Sequence, residues 1–136
     1  MSVYKDWNES YSVGVLAMDN QHKKLFAMIN DLHAAIKAKD TREAMGKVLD
    51  GLLEYTREHF ANEESLMGQC GYPDFKRHKQ LHTELVAQVG EINERFRKGE
   101  PVISVELFGF LMNWLTNHIQ GADKLYSACL NSKGVR

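Results

Sequence analysis

The sequence predicts an all-α fold: an antiparallel up-down-up-down four-helix bundle with an N-terminal arm. Apolar residues recur three and four positions apart in four separate segments, which is the spacing of amphipathic helices. No alternating apolar run bounded by hairpin dipeptides indicates a strand. The only two prolines, Pro73 and Pro101, both fall where a helix is expected to start. Short loops between the four segments favour antiparallel neighbours.

The N-terminal part is predicted to be an arm followed by the first helix. Residues 1–18 form the arm, and its aromatic side chains are expected to pack on the bundle: Tyr4, Trp7 and Tyr11. The first helix is predicted to run from about Asp19, a suitable N-cap, to about Lys39. Its apolar face consists of residues at helical spacing: Leu25, Phe26, Ile29, Leu32 and Ile36.

The second and third helices are predicted from a capping pattern and a clean apolar stripe. Asp40 and Glu43 have the spacing of a capping box, so the second helix is expected to start there and continue to about Met67. The third helix is predicted from about Asp74 to Lys98, because Gly99 follows it. Its stripe alternates steps of three and four: Leu85, Val89, Ile92 and Phe96.

The fourth helix is predicted to start after Ser104, a preferred N-cap residue. Its apolar residues are spaced for one buried face: Leu107, Phe108, Leu111, Leu115 and Ile119. Gly121 is expected to bend or interrupt this helix before a final turn through Leu130, since glycine weakens a helix interior.

Composition limits the classes of protein that this chain can belong to. With 136 residues and 43% apolar residues, it suits one domain over 1–136, with the bundle over 19–130. The net charge of -1 gives no indication of nucleic-acid binding, and no apolar stretch is long enough for membrane insertion. The first residues lack the apolar run of a signal peptide. Cys70 and Cys129 are too few for a disulfide framework, so we expect a cytoplasmic protein.

Polar residues of one chemical kind interrupt the apolar stripes of all four helices. They are His22 on the first helix, His59 and Glu63 on the second, His78 and His82 on the third, and His118 on the fourth. A buried imidazole or carboxylate is costly unless it is paired or binds a metal. Residues four apart share a helix face, so each pair can reach one centre. The pattern therefore predicts a metal site inside the bundle, a known position for such sites.

Two further polar residues are less clear from spacing. Asp123 follows His118 by five positions, and an ideal helix would turn it away by roughly 140°. Gly121 lies between them and could relax the backbone, so spacing alone leaves Asp123 open. His33 shares a face with His22 but lies about 16 Å further along the axis. We therefore expect His33 to be a core or boundary residue rather than a ligand.

These residues together resemble the hemerythrin family, specifically its bacterial single-domain members, over nearly the whole chain. The matching segments are Asp19-Asn20-Gln21-His22, His59-Phe60 with Glu63 and Glu64, the pair His78 and His82, Trp114-Leu115, His118-Ile119 and Asp123. Any one of these motifs alone would be weak. All seven ligand positions expected for the family are filled in order.

The resemblance implies a cofactor of two iron ions, bridged by carboxylates and an oxo or hydroxo group. Its ligands are then divided so that His78, His82 and His118 hold one iron, His22 and His59 hold the other, and Glu63 and Asp123 bridge them. The second iron keeps one position for dioxygen, in a pocket lined by Trp114, Leu115 and Ile119. The implied function is reversible dioxygen binding, for oxygen storage or transport, without enzymatic activity.

Alternatives to oxygen storage or transport remain at this point. A di-iron oxidase of the ferritin-like kind would use Glu-x-x-His pairs, and no glutamate precedes a histidine by three residues. A sensor of oxygen or redox state would need a separate partner protein. Zinc alone fits poorly, because seven ligands exceed one tetrahedral site. We expect a monomer that binds dioxygen and delivers it to an oxygen-consuming enzyme.

Overall fold

A computed structural model describes residues 5–136, in which every regular element is a helix. The α-helices are α1 (Leu16–Lys37), α2 (Arg42–Cys70), α3 (Phe75–Arg97), α4 (Val105–Gly121) and α5 (Ser127–Ser132). Two short 3-10 helices lie at Glu9–Tyr11 and Asp123–Tyr126. The predicted all-α fold is confirmed. The single domain over 1–136 stays a prediction.

The four long helices pack as a bundle around a continuous apolar core. α1 packs against α2 and α4, α2 packs against α3, and the short α5 lies against α2. Buried side chains from every long helix contribute to the core, among them Leu32, Leu49, Val89 and Phe108. Loops of a few residues join consecutive long helices, as the antiparallel prediction requires.

The predicted N-cap of the first helix is wrong by four residues. α1 begins at Leu16, and Val15 occupies the N-cap position without a side-chain hydrogen bond. Asp19 lies inside the first turn, where its carboxylate accepts hydrogen bonds from the Ser12 hydroxyl at 2.6 Å and the Val13 amide at 2.8 Å. Asp19 therefore ties the arm to the helix instead of capping it, so the arm ends before residue 16.

The predicted capping box of the second helix is also wrong. Thr41, not Asp40, is the N-cap of α2, and its hydroxyl accepts from the Ala44 amide at 3.1 Å. α2 also extends beyond Met67 to Cys70, and Gly71 ends it at a positive φ of 71°. Glycine adopts this left-handed conformation without the steric cost that a Cβ brings.

The later helix boundaries agree with the sequence. α3 lies within the predicted segment, and Ser104 caps α4 by accepting from the Leu107 amide at 3.3 Å. In the arm, Tyr11 is buried and its ring centroid lies 5.1 Å from that of Phe26. Trp7 is half-buried against the core, whereas Tyr4 lies outside the described residues. Within residues 5–136, no helix is long and apolar enough to cross a membrane.

Candidate metal centre

Seven polar side chains from all four long helices and the Asp123–Tyr126 turn meet inside the bundle. They are the seven that the sequence predicted: His22, His59, Glu63, His78, His82, His118 and Asp123. All seven are buried, and the most exposed of them, His118, is 7% exposed. All five histidines direct Nε2 inward, because each of these atoms lies within 3.4 Å of a carboxylate oxygen of the cluster. Five ring nitrogens that point to one centre can act as ligands of shared metal ions.

The cluster divides into two overlapping groups that could each hold a metal ion. One contains three histidines, with Glu63 and Asp123, and the other contains two histidines with Glu63 again. The ligand atoms of each group lie within 4.8 Å of one another, so one ion could contact them all. In the larger group, His118 Nε2 lies 3.1 Å from His82 Nε2 and 3.2 Å from His78 Nε2.

Each carboxylate divides its two oxygens between the two groups. Glu63 Oε1 lies 3.3 Å from His82 Nε2, whereas its Oε2 lies 3.2 Å from His22 Nε2. Asp123 Oδ1 lies 2.9 Å from His78 Nε2, and its Oδ2 lies 3.1 Å from His22 Nε2. This is the placement that a carboxylate needs to bridge two metal ions. The individual ligand roles stay a prediction.

A local break in the helix brings Asp123 into the cluster. α4 ends at Gly121, and Ala122 leaves helical geometry with φ -122° and ψ -51°. Asp123 then begins a 3-10 turn instead of continuing α4. Because this break changes the rotation per residue, Asp123 faces the same centre as His118 despite a spacing that an uninterrupted helix would not allow.

Unpaired buried atoms show that these residues fit positively charged ions. Glu63 Oε1 and Asp123 Oδ1 are buried and make no hydrogen bond within the described residues, although histidine nitrogens lie close to both. A buried acceptor left without a donor costs about 1–3 kcal/mol, and more when it is charged. Buried carboxylate oxygens that lack a hydrogen-bond donor are atoms that a bound metal ion can satisfy.

The two carboxylates also perturb the acid–base behaviour of the cluster. Burial disfavours the charged form of His22, but hydrogen bonds to Asp123 and Glu63 outweigh it and raise its pKa to about 10. Burial opposes ionisation of Glu63 as well, yet the nearby His59 and His22 hold the pKa of that carboxyl well below its usual value. Burial and Glu63 both oppose ionisation of Asp123, yet His118 and His22 lower its pKa. The Glu63 and Asp123 carboxyl groups therefore stay ionised, as ligands of a metal ion must be.

Aromatic rings enclose the three-histidine side of the cluster. Phe60 stacks on His82 at 3.7 Å between ring centroids, and Trp114 stacks on His118 at 4.3 Å. Phe60, Trp114 and Leu115 also line an apolar cavity of about 30 Å³. Ile119 is fully buried but does not line this cavity. The predicted oxygen pocket of Trp114, Leu115 and Ile119 stays a prediction.

Three residues outside the predicted ligand set contact the cluster from its outer side. The Tyr126 hydroxyl donates to Glu63 Oε2 at 2.6 Å, and this tyrosine is fully buried. Gln21 and Glu64 contact the Nδ1 atoms of two histidines. Gln21 and Glu64 adjoin predicted ligands, which was the available signal, but Tyr126 lies beyond the helix break, where periodicity gives no guidance. His33 is outside the cluster and packs on Phe108, with ring centroids 4.4 Å apart.

A buried cluster of imidazoles and carboxylates between the helices of a bundle defines a metal-binding four-helix protein. Comparison with known families gives the particular family. The hemerythrin HHE cation binding domain matches residues 13–130. Bacteriohemerythrin from Stenotrophomonas maltophilia is 40% identical over 121 residues, covering 89% of this chain and 78% of the relative. The chain belongs to the hemerythrin family, whose members bind a di-iron centre.

Further relatives support the same membership. Bacteriohemerythrin from Methylococcus capsulatus is 40% identical over 114 residues, covering 84% of this chain and 86% of the relative. A solved structure of wild-type hemerythrin superposes with a TM-score of 0.89 at 38% identity, covering 93% of this chain and 97% of the other. The predicted four-helix bundle is therefore confirmed by sequence and by fold.

Proposed function

We propose that this chain binds dioxygen reversibly at a di-iron centre, for oxygen storage or transport. The observation that carries the proposal is the donor set of the buried cluster, with five imidazole nitrogens and only two carboxylates. One iron would be held by His78, His82 and His118, and the other by His22 and His59. Glu63 and Asp123 would bridge them, since each directs one oxygen to either group. When bound, the iron pair supplies electrons to dioxygen reversibly.

The donor set favours binding over oxidation of a substrate. Ferritin-like di-iron proteins use Glu-x-x-His pairs and further glutamates, and no glutamate here lies three residues before a histidine. Fewer anionic ligands stabilise high-valent iron less well. The proposed role is consequently that of a binding protein rather than an enzyme, and its relatives are named as hemerythrins.

The chain's own contribution is to exclude water and fix the rings. The stacked rings of Phe60 and Trp114 cover His82 and His118, and the apolar cavity beside them accepts only a small molecule. The apolar shell around a metal controls solvent access and redox behaviour. We assign Trp114, Leu115 and Ile119 to the oxygen pocket as part of this proposal, because all three lie on α4 beside His118.

The proposal extends to the setting in which the chain acts. We propose a cytoplasmic monomer that stores dioxygen or delivers it to an oxygen-consuming enzyme. The two cysteines are free thiols, as is usual for proteins of reducing compartments.

Metal analysis combined with visible spectroscopy tests the proposed function. Purified protein should contain two irons per chain, be nearly colourless when reduced under nitrogen and gain colour in air. Removing oxygen should reverse the colour over repeated cycles. Zinc in protein made with ample iron, or a colour that air produces once and nitrogen never removes, would show that the chain is not a reversible oxygen carrier.

A further inference from the structure

The two halves of the cluster differ in what their histidines contact on the side away from the centre. His82 directs Nδ1 to Glu64 Oε2 at 2.9 Å. His59 directs Nδ1 to Gln21 Oε1 at 2.6 Å. Because Nε2 of each ring faces the cluster, Nδ1 carries the proton and donates it to these oxygens. The three-histidine group therefore has a carboxylate acceptor at Nδ1 of His82. The two-histidine group has an amide acceptor at Nδ1 of His59, on a side chain as long as that of glutamate.

The Glu64 carboxylate contacts His82. Among the described residues it forms no ion pair with lysine or arginine, and His82 is its one ionisable partner. Its side chain is 21% exposed, at the wall of an open cleft that Phe60 and His82 also line. The nearly parallel stacking of Phe60 on His82, with 2° between the ring planes, fixes the imidazole. The Glu64 carboxylate can therefore act on a ring whose orientation is held by packing.

The two-histidine group lacks a comparable charge. Gln21 is half-buried on α1, directly before His22, and offers His59 a neutral oxygen. The Nδ1 atom of His22 is buried and makes no hydrogen bond within residues 5–136. In the two-histidine group, one histidine therefore has a neutral acceptor at Nδ1 and the other histidine has none.

Acceptors behind a metal-bound histidine change how strongly the ring donates electrons. A carboxylate on the far N–H makes the imidazole more basic, and loss of such a partner typically costs about 10–100-fold in metal affinity. A charged acceptor also forms the stronger hydrogen bond, roughly twice that of a neutral one. Stronger donation favours ferric over ferrous iron and so lowers the reduction potential of that iron.

We propose that Glu64 and Gln21 are positioning residues that make the two iron positions electronically unequal, with the three-histidine position the easier to oxidise. This inference rests on the proposed di-iron centre and assigns to each half a different readiness to give up an electron. Neither residue touches the metal ions. Each acts through one histidine, by the charge of the oxygen that it places on Nδ1.

The test exchanges the charges of the two acceptors without changing their shapes. Glu64→Gln removes the negative charge behind His82, and Gln21→Glu adds one behind His59. The reduction potential of the iron-loaded protein is measured under nitrogen, with ferrous-iron affinity measured by chelator competition. Glu64→Gln should raise the potential and lower affinity about 10–100-fold. Gln21→Glu should lower the potential, and Glu64→Asp should restore most of the parent value.

Two controls separate this effect from structural damage and from bulk charge. Glu54→Gln removes an exposed carboxylate of the same helix, away from the cluster, and should leave the potential unchanged. Mössbauer spectra of the ferrous protein should show that Glu64→Gln alters the signal of one iron and spares the other. If the Glu64→Gln variant does not retain iron, the shift in reduction potential of Gln21→Glu alone tests the proposal.

The signs of the shifts in reduction potential test the proposal. Shifts of opposite sign for Glu64→Gln and Gln21→Glu support it. Shifts of the same sign, no shift, or a Glu64→Gln shift no larger than that of Glu54→Gln overturn it. Because every measurement excludes oxygen, a parent protein that fails to bind dioxygen reversibly would refute the proposed function without affecting this result.

Discussion

The hydroxyl of Tyr126 is expected to stabilise the metal centre through Glu63, and Tyr126→Phe tests this directly. The hydroxyl donates to Glu63 Oε2 at 2.6 Å, and both side chains are buried. Phenylalanine keeps the ring and removes one oxygen, so core packing changes little. The substitution thus isolates one hydrogen bond to a carboxylate that lies between the two histidine groups.

The size of the effect follows from the charge and burial of the pair. A hydrogen bond to a charged group contributes about 1.5–3 kcal/mol to stability. Glu63 Oε2 keeps a second contact, with His22 Nε2 at 3.2 Å, which favours the lower part of that range. At about 1.4 kcal/mol per tenfold change, the metal affinity should fall roughly 10-fold and at most about 100-fold.

The assay is cobalt(II) or ferrous-iron affinity by chelator competition under nitrogen, with urea unfolding of the metal-free protein alongside. Tyr55→Phe is the matched control, because Tyr55 is half-buried and its hydroxyl makes no hydrogen bond among the described residues. We expect the control to match the parent. Equal affinities for the Tyr126 and Tyr55 variants would refute the argument that this hydroxyl holds Glu63 in place.

Three further predictions concern ligands, the pocket and pH. His78→Ala should lower iron content and thermal stability together, since metal binding couples to folding, whereas equal iron loss in His33→Ala would contradict the ligand assignment. Leu115→Ala should cost about 2–5 kcal/mol in urea unfolding, because this side chain is only 4% exposed, yet retain its iron. Its oxygenated colour should fade faster in air, and an unchanged decay rate would remove Leu115 from the pocket. In metal-free protein, the His22 pKa is raised from 6.5 to about 10, so its stabilising contribution is complete below pH 6.5 and disappears as the pH rises through 10. Urea unfolding across this range should show the decline, and a His22→Gln variant with the same decline would assign it elsewhere.

Local signals in the sequence predicted the wrong N-cap residue for the first two helices. Asp40 and Thr41 are both good N-cap residues, and the spacing to Glu43 favoured the wrong one. Asp19 also has N-cap chemistry, but the arm offered its carboxylate two donors, from Ser12 and Val13. Those donors come from a chain segment whose path no helical periodicity describes.

The sequence by itself determined the four helices and the faces that carry the predicted ligands. Helical periodicity is a local property, so His59 with Glu63, and His78 with His82, had to share a face wherever the helices packed. Ser104 likewise capped its helix through a neighbouring amide. These features depend on contacts within a few residues, which composition and spacing already describe.

Only the tertiary structure decided which atoms meet across helices. The backbone break at Ala122 places Asp123 at the centre and Tyr126 on Glu63. Glu64 reaches His82 because α2 and α3 pack with a specific rotation and axial offset. Such pairings depend on how whole helices are rotated and shifted against one another. That arrangement minimises the free energy of the entire core, and no short stretch of sequence contains it.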